Sequence, residues 1–215
     1  MISENIERIR KTLPGGVKLV AVSKYRPVEQ LLAAYDAGQR AFAENRPLEF
    51  QAKVGALPED IEWHFIGHLQ TNKLKYVLPY ASLVHSIDSE HLLDAVQRWC
   101  NANDMCVNVL LEMHIGCEDT KQGMDEKEIF DILRRKDKWP YVRICGLMGM
   151  ASHTDDEDAI RADFERIRKC FEAARSLEGA GEEFRELSIG MSDDYLVALD
   201  YSPTMVRIGS AIFNE

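Results

Sequence analysis

Eight short apolar runs alternate with longer amphipathic ones along this chain, and that alternation restricts the fold more than any other feature. Strands are expected at residues 17–22, 41–43, 62–66, 82–86, 106–114, 142–148, 184–189 and 205–208, the first of which is β-branched and nearly uninterrupted by charge. Helices are expected at residues 3–12, 27–38, 47–55, 72–80, 89–103, 125–137, 155–180 and 192–200. Several of them begin with Pro, Ser or Asp and stop near Gly or Asn, as helix ends require. Eight strands with intervening helices fit an α/β fold, a single (β/α)₈ TIM barrel over residues 1–215, with a doubly wound sheet as the alternative.

Both folds build their sites at the carboxyl ends of the strands. The positions to inspect are therefore Lys24, Asn45, Gly67, His68, His114, Gly116, Met148, Gly149, Ser188 to Ser192, and Arg207 to Ser210. Composition removes several function classes. Thirty-six acidic against 26 basic side chains give a formal charge of -10, which repels a nucleic-acid backbone over most of the surface. The five cysteines contain no CxxC pair, so reduced thiols in a cytoplasmic protein fit better than a disulfide framework or a zinc knuckle. No apolar run approaches the roughly 20 residues that cross a bilayer, and the charged amino terminus does not read as an export signal.

Lys24 ends the apolar run of "KLVAVSKYRP". The plain alternative is a solvent-edge residue; the functional one is a reactive amine. Arg207 interrupts the last buried strand, "TMVRIGSAIF", and a guanidinium there needs an acceptor, for which a paired carboxylate is the plain alternative. Gly209 and Ser210 follow it, while "SIGMSDD" places Gly190 and Ser192 at the expected start of a helix, whose free N–H groups suit an anion. Asp193 and Asp194 oppose that use unless they point away. Together a lysine, an anion cradle and an arginine suit a phosphorylated, planar, electron-accepting ring. His64 and His68 are split by Gly67 and form no HExxH, so no metal site is expected. "SIGMSDD" also lacks a GxSxG elbow and a downstream histidine, which excludes an α/β-hydrolase order.

The segments "LVAVSKYRP", "FAENRPLEF", "WHFIGHLQTNKLKYV", "VHSID", "TKQG", "GLMGMA", "LSIGMSDDYLVAL" and "TMVRIGSAIF", in this order, resemble the YggS/PROSC family of pyridoxal 5'-phosphate (PLP) homeostasis proteins. The resemblance covers nearly the whole chain. It implies a barrel similar to the alanine racemase N-terminal domain (PLP fold type III) without that enzyme's second domain. It further implies that Lys24 forms the internal aldimine, Asn45 lies near the ring and Met191 lines the pocket. By the same resemblance, Ser192, Gly209 and Ser210 would hold the phosphate, and Arg207 would face the pyridine nitrogen. A buried Lys24 beside a cation would be activated, and an arginine at the ring nitrogen makes a poor electron sink.

Two departures from the family pattern stand out: Ala43 occupies the place of the usual glycine, and Ser210 that of the commoner threonine. With the chain ending at Glu215, the final helix is expected to be absent or replaced by packing of residues 3–12. The leading expectation is a non-enzymatic carrier or regulator of intracellular PLP, monomeric, meeting PLP-dependent apoenzymes or free amino acids, with neither nucleic acid nor membrane as partner. A weak amino-acid racemase and a scaffold with a vestigial pocket are the alternatives. No tyrosine is placed by the sequence for two-base racemisation.

Overall fold

The computed structural model describes residues 1–116, 122–177 and 180–214. Eight parallel strands close into a barrel in sequence order: β1 (Lys18–Val22), β2 (Ala41–Glu44), β3 (Glu62–Phe65), β4 (Leu83–Ile87), β5 (Val107–Glu112), β6 (Val142–Met148), β7 (Glu186–Ser188) and β8 (Met205–Ile208). The barrel is thus observed and the doubly wound alternative falls, because β8 pairs back onto β1.

Alternation along each strand sorts side chains into two cores. Outward residues such as Phe42, Phe65, Val109 and Leu187 pack under the helices with Phe50 and Trp63. Inward residues, Val20, Val22, Ala41, Ala43, Leu83, Leu110, Met148 and Met205, fill the barrel. Ala43 is fully buried among them and keeps regular register with Val22 and His64, so its methyl group is taken up without displacing β2.

The helices are α1 (Ile2–Thr12), α2 (Val28–Asp36), α3 (Pro47–Ala56), α4 (Glu90–Asn103), α5 (Glu126–Arg134), α6 (Glu157–Arg175), α7 (Tyr195–Ala198) and α8 (Ser210–Phe213). Local chemistry sets their ends. Ser89 caps α4 by accepting from the Leu92 amide at 3.3 Å, and Asp125 and Glu128 form a reciprocal capping box on α5. The last helix is only four residues long, and α1 packs against both α2 and α8, with Asn5 Nδ2 donating to the Ile212 carbonyl at 3.0 Å.

Two expected helices are corrected. Residues 72–80 form a 3₁₀ turn, Thr71–Tyr76, rather than an α-helix; Pro79 forbids extension through that segment. The helix expected from Ser192 begins only at Tyr195, because the Asp194 carboxylate accepts from the Met191 amide at 2.6 Å and closes a turn first. Thr120 and Lys121 of "TKQG", and Cys117, lie outside the described residues.

Candidate functional site

A cavity of about 700 Å³ opens at the carboxyl ends of the strands, lined by Lys24, Asn45, Met191, Ser192, Arg207, Gly209 and Ser210. All seven residues named from the sequence are therefore brought together. Four elements or their loops supply them: the turns after β1, β2 and β7, and β8 with the turn that follows it.

The β1 turn is held from below. Ser23 Oγ donates to Glu44 Oε1 at 2.6 Å, Lys53 Nζ donates to the same carboxylate at 2.7 Å and to the Ser23 carbonyl at 2.8 Å. Glu49 accepts from Lys53 at 2.7 Å and from the Tyr25 amide at 3.0 Å. The residues on both sides of Lys24 are thereby fixed to one ion cluster. Burial raises the Glu44 carboxyl above its ordinary range, against the pull of Lys53 and Ser23.

Lys24 itself is exposed, which corrects the expectation of a buried amine. The reason is backbone geometry: β1 ends at Val22, and Tyr25 takes a left-handed conformation (φ 63°), turning the chain out over the rim.

Asn45 follows Glu44 at the end of β2. Its Oδ1 is buried and has no hydrogen-bond partner among the described residues. Its side chain also bonds Tyr25, and this bond with the nearby Arg46 charge lowers the Tyr25 hydroxyl below the ordinary tyrosine range. Arg46 lies over the Tyr25 ring, 4.7 Å from its centroid.

Across the cavity, Ser192 Oγ accepts from the amides of Gly209 at 3.2 Å and Ala211 at 3.3 Å, joining the β7 and β8 loops. A side chain at Gly209 would come to 3.0 Å of the Val22 carbonyl, a tight contact, so glycine suits the close approach of the β8 turn to the end of β1. Gly190 sits at φ 91°, where its Cα packs against α7, and its carbonyl accepts from the Arg207 amide at 2.9 Å. Asp194 is turned into its own loop, whereas Asp193 remains on the cavity wall.

Arg207 is 3% exposed and donates to Ser188 Oγ at 2.6 Å, to the Ser188 carbonyl at 2.8 Å and to the Gly149 carbonyl at 3.0 Å. The carboxylate partner considered as its plain alternative is not among these acceptors. Burial lowers the guanidinium to about 10, with Asp194 and Glu112 opposing, so it remains a cation at neutral pH.

Several lining residues were not singled out for the cavity from the sequence. Tyr25 is the most important, because the sequence places no tyrosine for two-base racemisation; its adjacency to Lys24 is the available signal. Arg26, Ile66, Gln122 and Met150 also line the cavity. Gln122, Met150 and Met191 continue into a recess of about 240 Å³ bounded by Glu112, His114 and His153. His68 lies on the rim, 3.2 Å from Asp88, while His64 is inside the barrel. Among the described residues no cluster of three metal-ligating side chains forms, and no helix is long and apolar enough to cross a membrane.

Comparison with known proteins places this geometry in a family. The alanine racemase N-terminal domain model matches residues 1–215. The pyridoxal phosphate homeostasis protein of Aquifex aeolicus is 34% identical over 221 residues, covering 100% of this chain and 96% of that protein. The protein of that name from Schizosaccharomyces pombe is 36% identical over 202 residues, covering 93% and 84%. PipY of Synechococcus elongatus, solved with PLP bound, superposes with a TM-score of 0.89 at 31% identity over 100% of both chains. Alanine racemase from E. faecalis shares the fold alone, at 19% identity and a TM-score of 0.77, with this chain covering 57% of it. The chain belongs to the alanine racemase N-terminal domain family, among the pyridoxal phosphate homeostasis proteins.

Proposed function

We propose that this chain, acting as one barrel over residues 1–215, binds PLP reversibly and serves intracellular PLP homeostasis as a carrier or regulator. The observation that carries the reading is the convergence of the Lys24 amine, the Ser192–Gly209–Ser210 wall and the Arg207 guanidinium on one cavity. The residues fit the cofactor. Asn45 Oδ1 is an orphaned buried acceptor facing the need for a donor, and the bare Cα of Gly209 leaves its loop free of a side chain.

When bound, PLP supplies an aldehyde electrophile and an electron-accepting ring. Lys24 provides the amine to hold the aldehyde end, and Ser192 with Gly209 and Ser210 would hold the phosphate. Met191 lines the wall between them, and Arg207 would face the ring nitrogen. Arg207 can only donate, so it disfavours a protonated ring and weakens carbanion chemistry. The exposure of Lys24 and of Tyr25, 59% exposed, leaves the mouth open to water. That openness suits loading and release better than a water-excluded reaction.

We infer that the loaded protein exchanges cofactor with PLP-dependent apoenzymes or with free amino acids, as a monomer in the cytoplasm. The free thiols of Cys100, Cys106, Cys145 and Cys170 support a reducing compartment. A weak racemase is the second reading, favoured by one observation: Tyr25 places a hydroxyl with a lowered pKa beside Lys24.

Titration of the purified protein with PLP, followed by absorption and equilibrium dialysis, tests the proposal. A saturable spectral change with retained stoichiometric cofactor is expected. No change would leave a scaffold with a vestigial pocket. Alanine racemisation that disappears in Tyr25→Phe while PLP retention persists would move the second reading to first place.

A further inference from the structure

A line of polar side chains runs through the barrel interior, where apolar packing is the rule. Lys18 Nζ lies 2.5 Å from Glu62 Oε1, and that oxygen lies 3.1 Å from His64 Nε2. His64 Nδ1 is 2.8 Å from His85 Nε2, His85 Nδ1 is 3.0 Å from Ser188 Oγ, and Ser188 Oγ is 2.6 Å from Arg207 Nη1. His64, His85 and Ser188 are 0% exposed. Lys18 and Glu62 instead reach a cleft of about 470 Å³ away from the cavity that Arg207 lines. The line therefore connects two separate openings of the barrel.

Its direction is decided at Arg207. A guanidinium has donors only, so Ser188 Oγ must accept from it. The serine hydrogen then has His85 Nδ1 as its acceptor among the described contacts. A neutral ring that accepts at Nδ1 carries its hydrogen at Nε2 and donates it to His64 Nδ1. His64, constrained in the same way, donates from Nε2 to Glu62. Every hydrogen between Arg207 and Glu62 thus points toward Glu62.

The charges agree with that polarity. The His64 hydrogen bond, aided by Lys18, holds the Glu62 carboxyl down at about 2 against partial burial. Burial, aided by the Arg207 charge, pushes His85 well below the ordinary histidine range and keeps it neutral. Around Arg207 the acidic groups are Asp194 and Glu112, and neither is among its hydrogen-bond acceptors. A buried cation bonded only to neutral acceptors gains from a chain polarised toward a distant anion.

We propose that Ser188, His85, His64 and Glu62 are positioning residues for Arg207, forming a one-way hydrogen-bond chain that fixes the guanidinium as a donor at the cavity and ties it to a carboxylate at another opening of the barrel. A consequence that rests on the ring-facing reading of Arg207 is that Glu62 tunes the cofactor site without touching it.

Two-bond ¹H–¹⁵N correlation spectra of the labelled full-length protein without added PLP test the chain. Both His64 and His85 are expected with hydrogen on Nε2 and a bare Nδ1 that accepts. Ser188→Ala should release His85 into a mixture of tautomers, and Ser188→Thr should restore the single one. An Nδ1–H tautomer or an imidazolium at His85 in the unaltered protein would overturn the proposal, and that measurement needs no variant to fold. With PLP added, Glu62→Leu, which removes both acceptor and charge, should shift the pH midpoint of the bound-cofactor spectrum more than Glu62→Gln, which keeps the acceptor. Predicted tautomers with an unmoved midpoint would support the chain and overturn instead the placement of Arg207 at the ring.

Discussion

Lys53 lies 2.7 Å from Glu44, and the two form an ion pair almost wholly removed from water, with side chains 7% and 0% exposed. The pair sits directly beneath the turn that presents Lys24, since Ser23 bonds both partners. Lys53→Met would strand the Glu44 carboxylate, and breaking such a pair costs about 3–5 kcal/mol. Urea denaturation should show that loss. Faster amide exchange at Tyr25 should accompany it, and pairing the change with Glu44→Leu should recover most of the stability.

Asn45→Ala separates binding from folding. Its Oδ1 has no partner among the described residues, so apo-protein stability should change by less than about 1 kcal/mol. PLP affinity, measured by fluorescence titration, should fall about fivefold to tenfold, because that acceptor waits for a donor on the cofactor. Equal affinity in the variant would place the ring elsewhere.

Much of this arrangement is legible in the sequence because barrel strands are continuous apolar runs, and the residues that end them are necessarily neighbours at one mouth. Lys24, Ser192 and Arg207 could be named on that ground together with the family resemblance. What the chain concealed depends on backbone direction or on closure. The left-handed turn at Tyr25 that exposes Lys24 has no glycine to announce it. Asp194, read as helix-dipole chemistry, closes a turn and delays α7. The interior chain joins β3, β4, β7 and β8, so its contacts exist only once inward faces meet; His64 and His85 lie on two adjacent strands, but their sequence segments do not reveal that Ser188 lies between them and Arg207.

Glu112 should make stability depend on pH. Burial, reinforced by Asp88, raises its carboxyl from 4.5 to about 7. A raised folded-state value means that its contribution is complete below 4.5 and is lost as pH rises through about 7. Glu112→Gln should therefore match the unaltered protein near pH 4.5 and exceed it at pH 8, by up to about 3 kcal/mol. Thermal melts across that range decide it; parallel curves would remove Glu112 from the account.

Arg207→Glu exchanges a fixed donor for an acceptor at the site assigned to the ring nitrogen. The absorption of bound PLP should acquire a different pH dependence, because a carboxylate favours the protonated ring. An unchanged titration would mean that Arg207 lies away from the ring.

The most direct test of the central claim is borohydride reduction of the PLP-treated protein, followed by digestion and peptide mass mapping. The account predicts one cofactor mass fixed on the peptide that contains Lys24, and none on any peptide of Lys24→Ala. Label fixed on a different lysine, or label retained at full stoichiometry in Lys24→Ala, would contradict it.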